Sequence, residues 1–115
     1  MLPKKNKIQK NDFKKIFSRG KAIHNNYFVI LYLINNEINC PQAGIVISKK
    51  VGKSTVRNKI KRIIREFLRR KIEEIGNSLQ LVIICKPAIV NLENSKIREE
   101  LNKSIDKINN IAGNL

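Results

Sequence analysis

The side chains best suited to chemistry in this sequence are cations at helical spacing. Arg57, Lys61, Arg65 and Arg69 recur every four residues, and Lys59, Arg62 and Arg70 widen the same region. A row of guanidinium and ammonium groups suits a polyanion, because each can neutralise one phosphate along a backbone. A solvated helix normally mixes signs to gain ion pairs one turn apart, whereas like charges at that spacing destabilise it slightly. Between residues 49 and 71 eleven cations stand against Glu66 alone. The compensation is expected from outside the chain.

Just upstream, Lys49-Lys50-Val51-Gly52-Lys53-Ser54-Thr55 sets Gly-Lys-Ser-Thr between a strand and a helix, as a nucleotide-binding loop does. That loop requires a glycine five positions before Gly52, where Ile47 stands, and no metal-binding Asp closes a neighbouring strand. The segment reads instead as lysines beside free backbone N–H groups at a helix N-terminus, fit for one phosphate. Other catalytic sets fail on arithmetic. His24 is the only histidine, and Cys40 and Cys85 make no metal-ligand spacing, so both read as reduced, buried thiols. Asp12 and Glu37 are isolated, and most other acids follow residue 72, so no carboxylate pair is set for metal-ion catalysis. No catalytic residue is assigned, and the chain alone is expected to need no cofactor.

These groups must be held by elements that periodicity makes visible. Asn11 can cap a short helix carrying Phe13, Ile16 and Phe17 and stopped by Gly20. The β-branched and aromatic run Tyr27–Ile34 reads as a strand, and Ala43–Ser48 as a second one, antiparallel to the first across a short loop. A further short strand near Ala22–His24 is possible in this pattern. Ser54 or Thr55 opens the strongest helix, running to Gly76, with Ile60, Ile63, Ile64, Phe67 and Lys71/Ile72 as its buried stripe. Leu79–Lys86 is a third long strand, and Asn94–Ile111 a last helix. The sum is an α+β fold: a single two-layer domain over residues 1–115, about four strands in a mixed sheet, three helices, order α-β-β-β-α-β-α.

The whole-chain balance agrees. The 115 residues carry a formal charge of +15. Residues 1–21 hold eight Lys/Arg against Asp12, and residues 49–71 hold the eleven cations, so two segments contain all the excess. Such self-repulsion points to a polyanionic partner. The apolar content of 42% is ample for a core. The longest apolar run, Tyr27–Ile34, is far short of the roughly 20 residues that span a bilayer. The expectation is a cytoplasmic protein without a membrane partner, with residues 1–9 as a flexible basic N-terminus. A membrane-surface role fits poorly, since the basic helix needs its apolar stripe for the core.

The stretch Ser48–Glu66, with Arg57-Asn58-x-x-Lys61-Arg62-x-x-Arg65 after Lys49-Lys50-x-Gly52, resembles the signature of the bacterial ribonuclease P protein family and fits it without a gap. The likeness runs over nearly the whole chain, through Asn11-Asp12-Phe13-x-x-x-Phe17, Gly20, a hydrophobic strand near residue 28, and Lys86-Pro87. Ser54-Thr55 stand where members more often carry Ala-Val. The resemblance implies a small subunit that assists a catalytic RNA. In that family the RNA holds the Mg²⁺ ions and removes the 5′ leader of precursor tRNA. The implied partners are that RNA and precursor tRNA, with no DNA. Lys49, Lys50, Lys53, Arg57, Asn58, Lys61, Arg62, Arg65 and Arg69 would meet the RNA subunit. The resemblance also implies an unusual left-handed crossover through the basic helix, against the general right-handed rule. A ribosomal or general RNA-binding protein would share the charge and fold but not this Arg-Asn frame.

Aromatic placement bears on the leader. Five of the six aromatics, Phe13, Phe17, Tyr27, Phe28 and Tyr32, fall in the first 32 residues. Phe13 and Phe17 lie one helical turn apart beside Lys10, Lys14, Lys15 and Arg19. Two readings fit: both rings pack the helix onto the sheet, or they stack on bases of a single strand. The resemblance implies leader contacts at both. It also often places a tyrosine where Leu31 stands here. Strand alternation puts Tyr27 on the same face as Leu31, so Tyr27 is the candidate substitute.

Overall fold

The run Phe28–Ile34 does form a strand, and it sits at the centre of the molecule beside Leu79–Cys85. The computed structural model describes residues 2–113. In order along the chain it contains α1 (Lys10–Arg19), β1 (Lys21–His24), β2 (Phe28–Ile34), β3 (Gln42–Val46), α2 (Ser54–Lys71), β4 (Leu79–Cys85) and α3 (Asn94–Gly113). The four strands form one mixed sheet in the order β1-β2-β4-β3. The two long apolar strands take the middle, where both faces can be covered.

The expected hairpin between β2 and β3 is not made. β4 lies between them, antiparallel to β2 from Phe28↔Cys85 to Ile34↔Leu79 and parallel to β3 from Gln42↔Gln80 to Val46↔Ile84. Six of the seven β4 residues are buried. Burying so apolar a strand between two neighbours outweighs the short-loop pairing that adjacency in sequence favours. α2 therefore serves as the crossover between the parallel strands β3 and β4.

α2 and α3 cover one face of the sheet. Phe28, Ile30, Leu81 and Ile83 meet Ile64, Leu68, Leu101 and Ile105 there in one core. On α2 the stripe is Ile60, Ile63, Ile64, Leu68 and Lys71, so Leu68 takes the fully buried place assigned to Phe67, which is half-buried. α1 packs on the opposite face, where Ile16 and Val82 anchor a separate small cluster. The two-layer expectation thus gains a partial third layer. Its cause is the alternation of β4, whose even-numbered residues Val82 and Ile84 are also apolar and attract a helix.

The N-terminal segment corrects a second expectation. Residues 2–9 are not a free arm. Leu2 lies in the main core, the buried Asn6 donates from Nδ2 to the Pro41 carbonyl at 2.7 Å, and Lys7 bridges to Ala43 on the outer edge of β3. An open strand edge offers unpaired backbone groups, and this segment covers part of it. α1 starts at Lys10 with Gln9 as N-cap and no side-chain capping bond, so Asn11 lies inside the first turn.

Lys71 is a buried cation at the α2–α3 contact. Its Nζ lies 2.6 Å from Asp106 Oδ1 on α3 and 3.6 Å from Glu74 Oε1. Removing the closer partner leaves the charge poorly compensated, so Asp106→Ala lowers stability by about 1–3 kcal/mol. Urea denaturation checks this; an unchanged midpoint contradicts it.

Candidate nucleic-acid interface

Burying Ile60, Ile63, Ile64 and Leu68 turns the opposite side of α2 outward. Lys49, Lys50, Lys53, Asn58, Arg62, Arg65 and Arg69 are exposed, while Arg57 and Lys61 are half-buried along the flank. Among the described residues, Lys71 is the one cation of α2 in an ion pair. The other cations of this face form no ion pair among the described residues, and Glu66 is the single acid set among them. A shallow groove of about 590 Å³ on it brings together Asn58, Lys59, Arg62 and Arg65.

The entry to α2 adds a positive pole. Its first turn has no acidic residue and no side-chain cap, and Lys53 is the N-cap. Gly52 holds φ +158° and ψ −171°, a backbone state that side chains with a Cβ rarely adopt. The Gly52 carbonyl accepts from Arg57 Nε at 3.1 Å, which ties the first exposed turn to the loop. Lys61 lies near Cys85 of β4. Burial pushes the Cys85 thiol up to about 11, and the nearby Lys61 charge offsets part of that rise. Cys85 therefore stays protonated at neutral pH, an inert core group, whereas Cys40 is only half-buried, so the expected burial of both thiols holds for Cys85 alone.

The second candidate site lies on the α1 side of the sheet. Phe13 and Phe17 stack with centroids 6.5 Å apart and planes at 25°. They differ in burial. Phe13 is half-buried and its ring covers Gly44 of β3, where an added Cβ would come within 2.7 Å of Cζ. Phe17 is 52% exposed, and Ile16 between them makes the core contact. The packing reading thus describes Ile16 and part of Phe13, but not Phe17. Lys10 and Lys14 are exposed on the same helix.

Leu31 is half-buried on this face, packed against the α1 cluster. Tyr27 is not its neighbour. It precedes β2 and packs against the main core on the other side. The reason is local: Asn25 Oδ1 accepts from the Tyr27 and Phe28 backbone N–H groups, and this turn breaks the alternation before the strand begins. Tyr27 is thereby removed as a stand-in for stacking beside Leu31.

The two sites meet at the β3 edge. A groove of about 280 Å³ there is lined by Lys7, Ile8, Phe13, Gly44 and Ile45, with Arg65 of α2 on its rim. Sequence reading missed Lys7 at this junction because its placement depends on the folded N-terminal segment. Among the described residues no three His, Cys, Asp or Glu side chains converge on a metal-sized site, and no helix is long and apolar enough to cross a membrane.

Comparison with known proteins adds a separate line of evidence. The family model described as Ribonuclease P matches residues 2–109. The chain is 34% identical over 109 residues to the ribonuclease P protein component of Thermoanaerobacter sp. (strain X514), covering 94% of this chain and 93% of that one. It is 38% identical over 110 residues to that of Clostridium kluyveri, covering 93% and 94%. Among solved structures, the RNase P protein of Staphylococcus aureus superposes with a TM-score of 0.80 at 33% identity, over 90% of this chain and 94% of that one. The RNase P protein from Thermotoga maritima gives 0.79 at 32% identity, over 88% and 96%.

Proposed function

The chain belongs to the bacterial ribonuclease P protein family, a subunit of an endoribonuclease that processes tRNA, and from that premise we propose how its surface is used. The outer face of α2 and the Lys49–Lys53 loop dock the catalytic RNA of the holoenzyme. The α1 face, with Phe13, Phe17 and Leu31 beside Lys10 and Lys14, holds the single-stranded 5′ leader of precursor tRNA. The observation that carries this reading is the unpaired basic face of α2, turned outward by its own apolar stripe and joined at Arg65 to the groove beneath Phe13.

The residues on the page bind, orient and neutralise. Cleavage of the phosphodiester is assigned to the RNA subunit, with Mg²⁺ held mainly by that RNA and the protein acting in the cytoplasm. Cations along α2 reduce repulsion between RNA segments, which lowers the Mg²⁺ needed to fold them. The exposed Phe17 ring gives a base a face to stack on, a contact tolerant of sequence.

A flat salt response would contradict this picture. With about five phosphates neutralised, affinity for the RNA falls roughly 10²–10³-fold between 50 and 200 mM salt. Filter binding over that range measures the slope.

A further inference from the structure

One buried polar side chain has no part in the roles above. Gln80 sits inside the otherwise apolar strand β4 and is fully buried. Its Nε2 donates to Asp12 Oδ2 at 3.1 Å and to Gln42 Oε1 at 2.8 Å, while its Oε1 accepts from Asn35 Nδ2 at 3.3 Å. A leucine would fill that space without the cost of burying an amide. What the amide adds is direction. Asp12 lies in the first turn of α1, immediately before Phe13.

The remaining contacts between α1 and the sheet, centred on Ile16 and Val82, are apolar and non-directional. They press the helix onto the sheet but discriminate weakly between positions along it. The Gln80–Asp12 bond fixes one point, and Phe13 over Gly44 fixes the next residue. Together they determine where Phe17, one turn further on, presents its exposed ring.

We propose that Gln80 is a positioning residue: through Asp12 it sets α1 on the sheet and so places the Phe13–Phe17 face for the leader. The proposal rests on the reading that α1 holds the leader. Gln80 itself touches no RNA.

The test uses holoenzyme reconstituted with the catalytic RNA. The quantity measured is the ratio of affinities for leader-bearing precursor and mature tRNA. Gln80→Glu sets a carboxylate against Asp12 and should cut that ratio roughly fivefold or more while hydrogen exchange in α1 speeds up. Adding Asp12→Asn supplies a donor to Glu at position 80 and should restore the ratio to within about twofold. Gln80→Leu breaks the link without a new charge and should keep the fold while lowering the ratio. A purely structural role would lower stability and both affinities alike and leave the ratio intact, which overturns the proposal. So does a double variant that recovers nothing. Phe17→Ala separates the two layers: if it lowers the ratio and neither Gln80 variant does, only the Gln80 role fails. If Phe17→Ala leaves the ratio unchanged, the leader reading falls and the positioning role falls with it.

Discussion

Replacing Arg57, Lys61 and Arg65 together by alanine weakens binding to the ribonuclease P RNA roughly 100-fold at moderate salt, with the fold retained. Arg65 is exposed and the other two are half-buried on the flank of α2. The substitution removes no member of the Ile60–Leu68 stripe that anchors the helix. One specific contact is lost, the Arg57 bond to the Gly52 carbonyl. Such a bond contributes about 0.5–1.5 kcal/mol, and the higher helix propensity of alanine offsets part of it. The plot of log affinity against log salt should flatten by nearly three units, close to one per cation removed. Circular dichroism checks the fold and filter binding the slope. Full affinity in the triple variant would place the RNA elsewhere.

The next largest effect falls on Phe17. Phe17→Ala removes a ring that is 52% exposed, so little core contact is lost. One stacked base is worth about 1–3 kcal/mol, which corresponds to roughly five- to 150-fold in affinity for a leader-bearing precursor. Affinity for mature tRNA, which has no leader, should not change. Phe13→Ala is the less informative variant, since its ring also covers Gly44 and its loss opens the β3 edge. Equal effects of Phe17→Ala on precursor and mature tRNA would contradict a leader contact at this ring.

How far the sequence could be read depended on the range of the interaction that decides each feature. α2 was legible because both its apolar stripe and its cation row are local periodicities. Its burial order still shifted by one residue, from Phe67 to Leu68, because the angle at which a helix meets a sheet is a tertiary property. The β2–β3 hairpin failed for a long-range reason. The strand that separates the two begins at Leu79, beyond the whole of α2. Tyr27 failed for a short-range one, the Asn25 turn that ends the alternation. The N-terminal lysines hid a folded segment, since Leu2, Asn6 and Ile8 hold it down while the charges point to solvent.

Of the candidate site, the basic helix could be named from spacing, whereas the Phe13–Phe17 pair needed the family resemblance, since its spacing equally fits packing onto the sheet. Their junction at Arg65 and Lys7 could be named from neither, because it exists only once β3 becomes the sheet edge. Gln80 left one faint mark, a lone amide in the run Leu79–Cys85. Its partners Asp12, Asn35 and Gln42 are scattered along the chain and meet only in the fold.

The most direct measurement is reconstitution with ribonuclease P RNA at a Mg²⁺ concentration where the RNA alone is slow. Adding the chain should restore removal of the 5′ leader, with cleavage at the mature tRNA end. An RNA that binds the chain yet cleaves no faster at any Mg²⁺ concentration would contradict its role as the protein subunit of this enzyme.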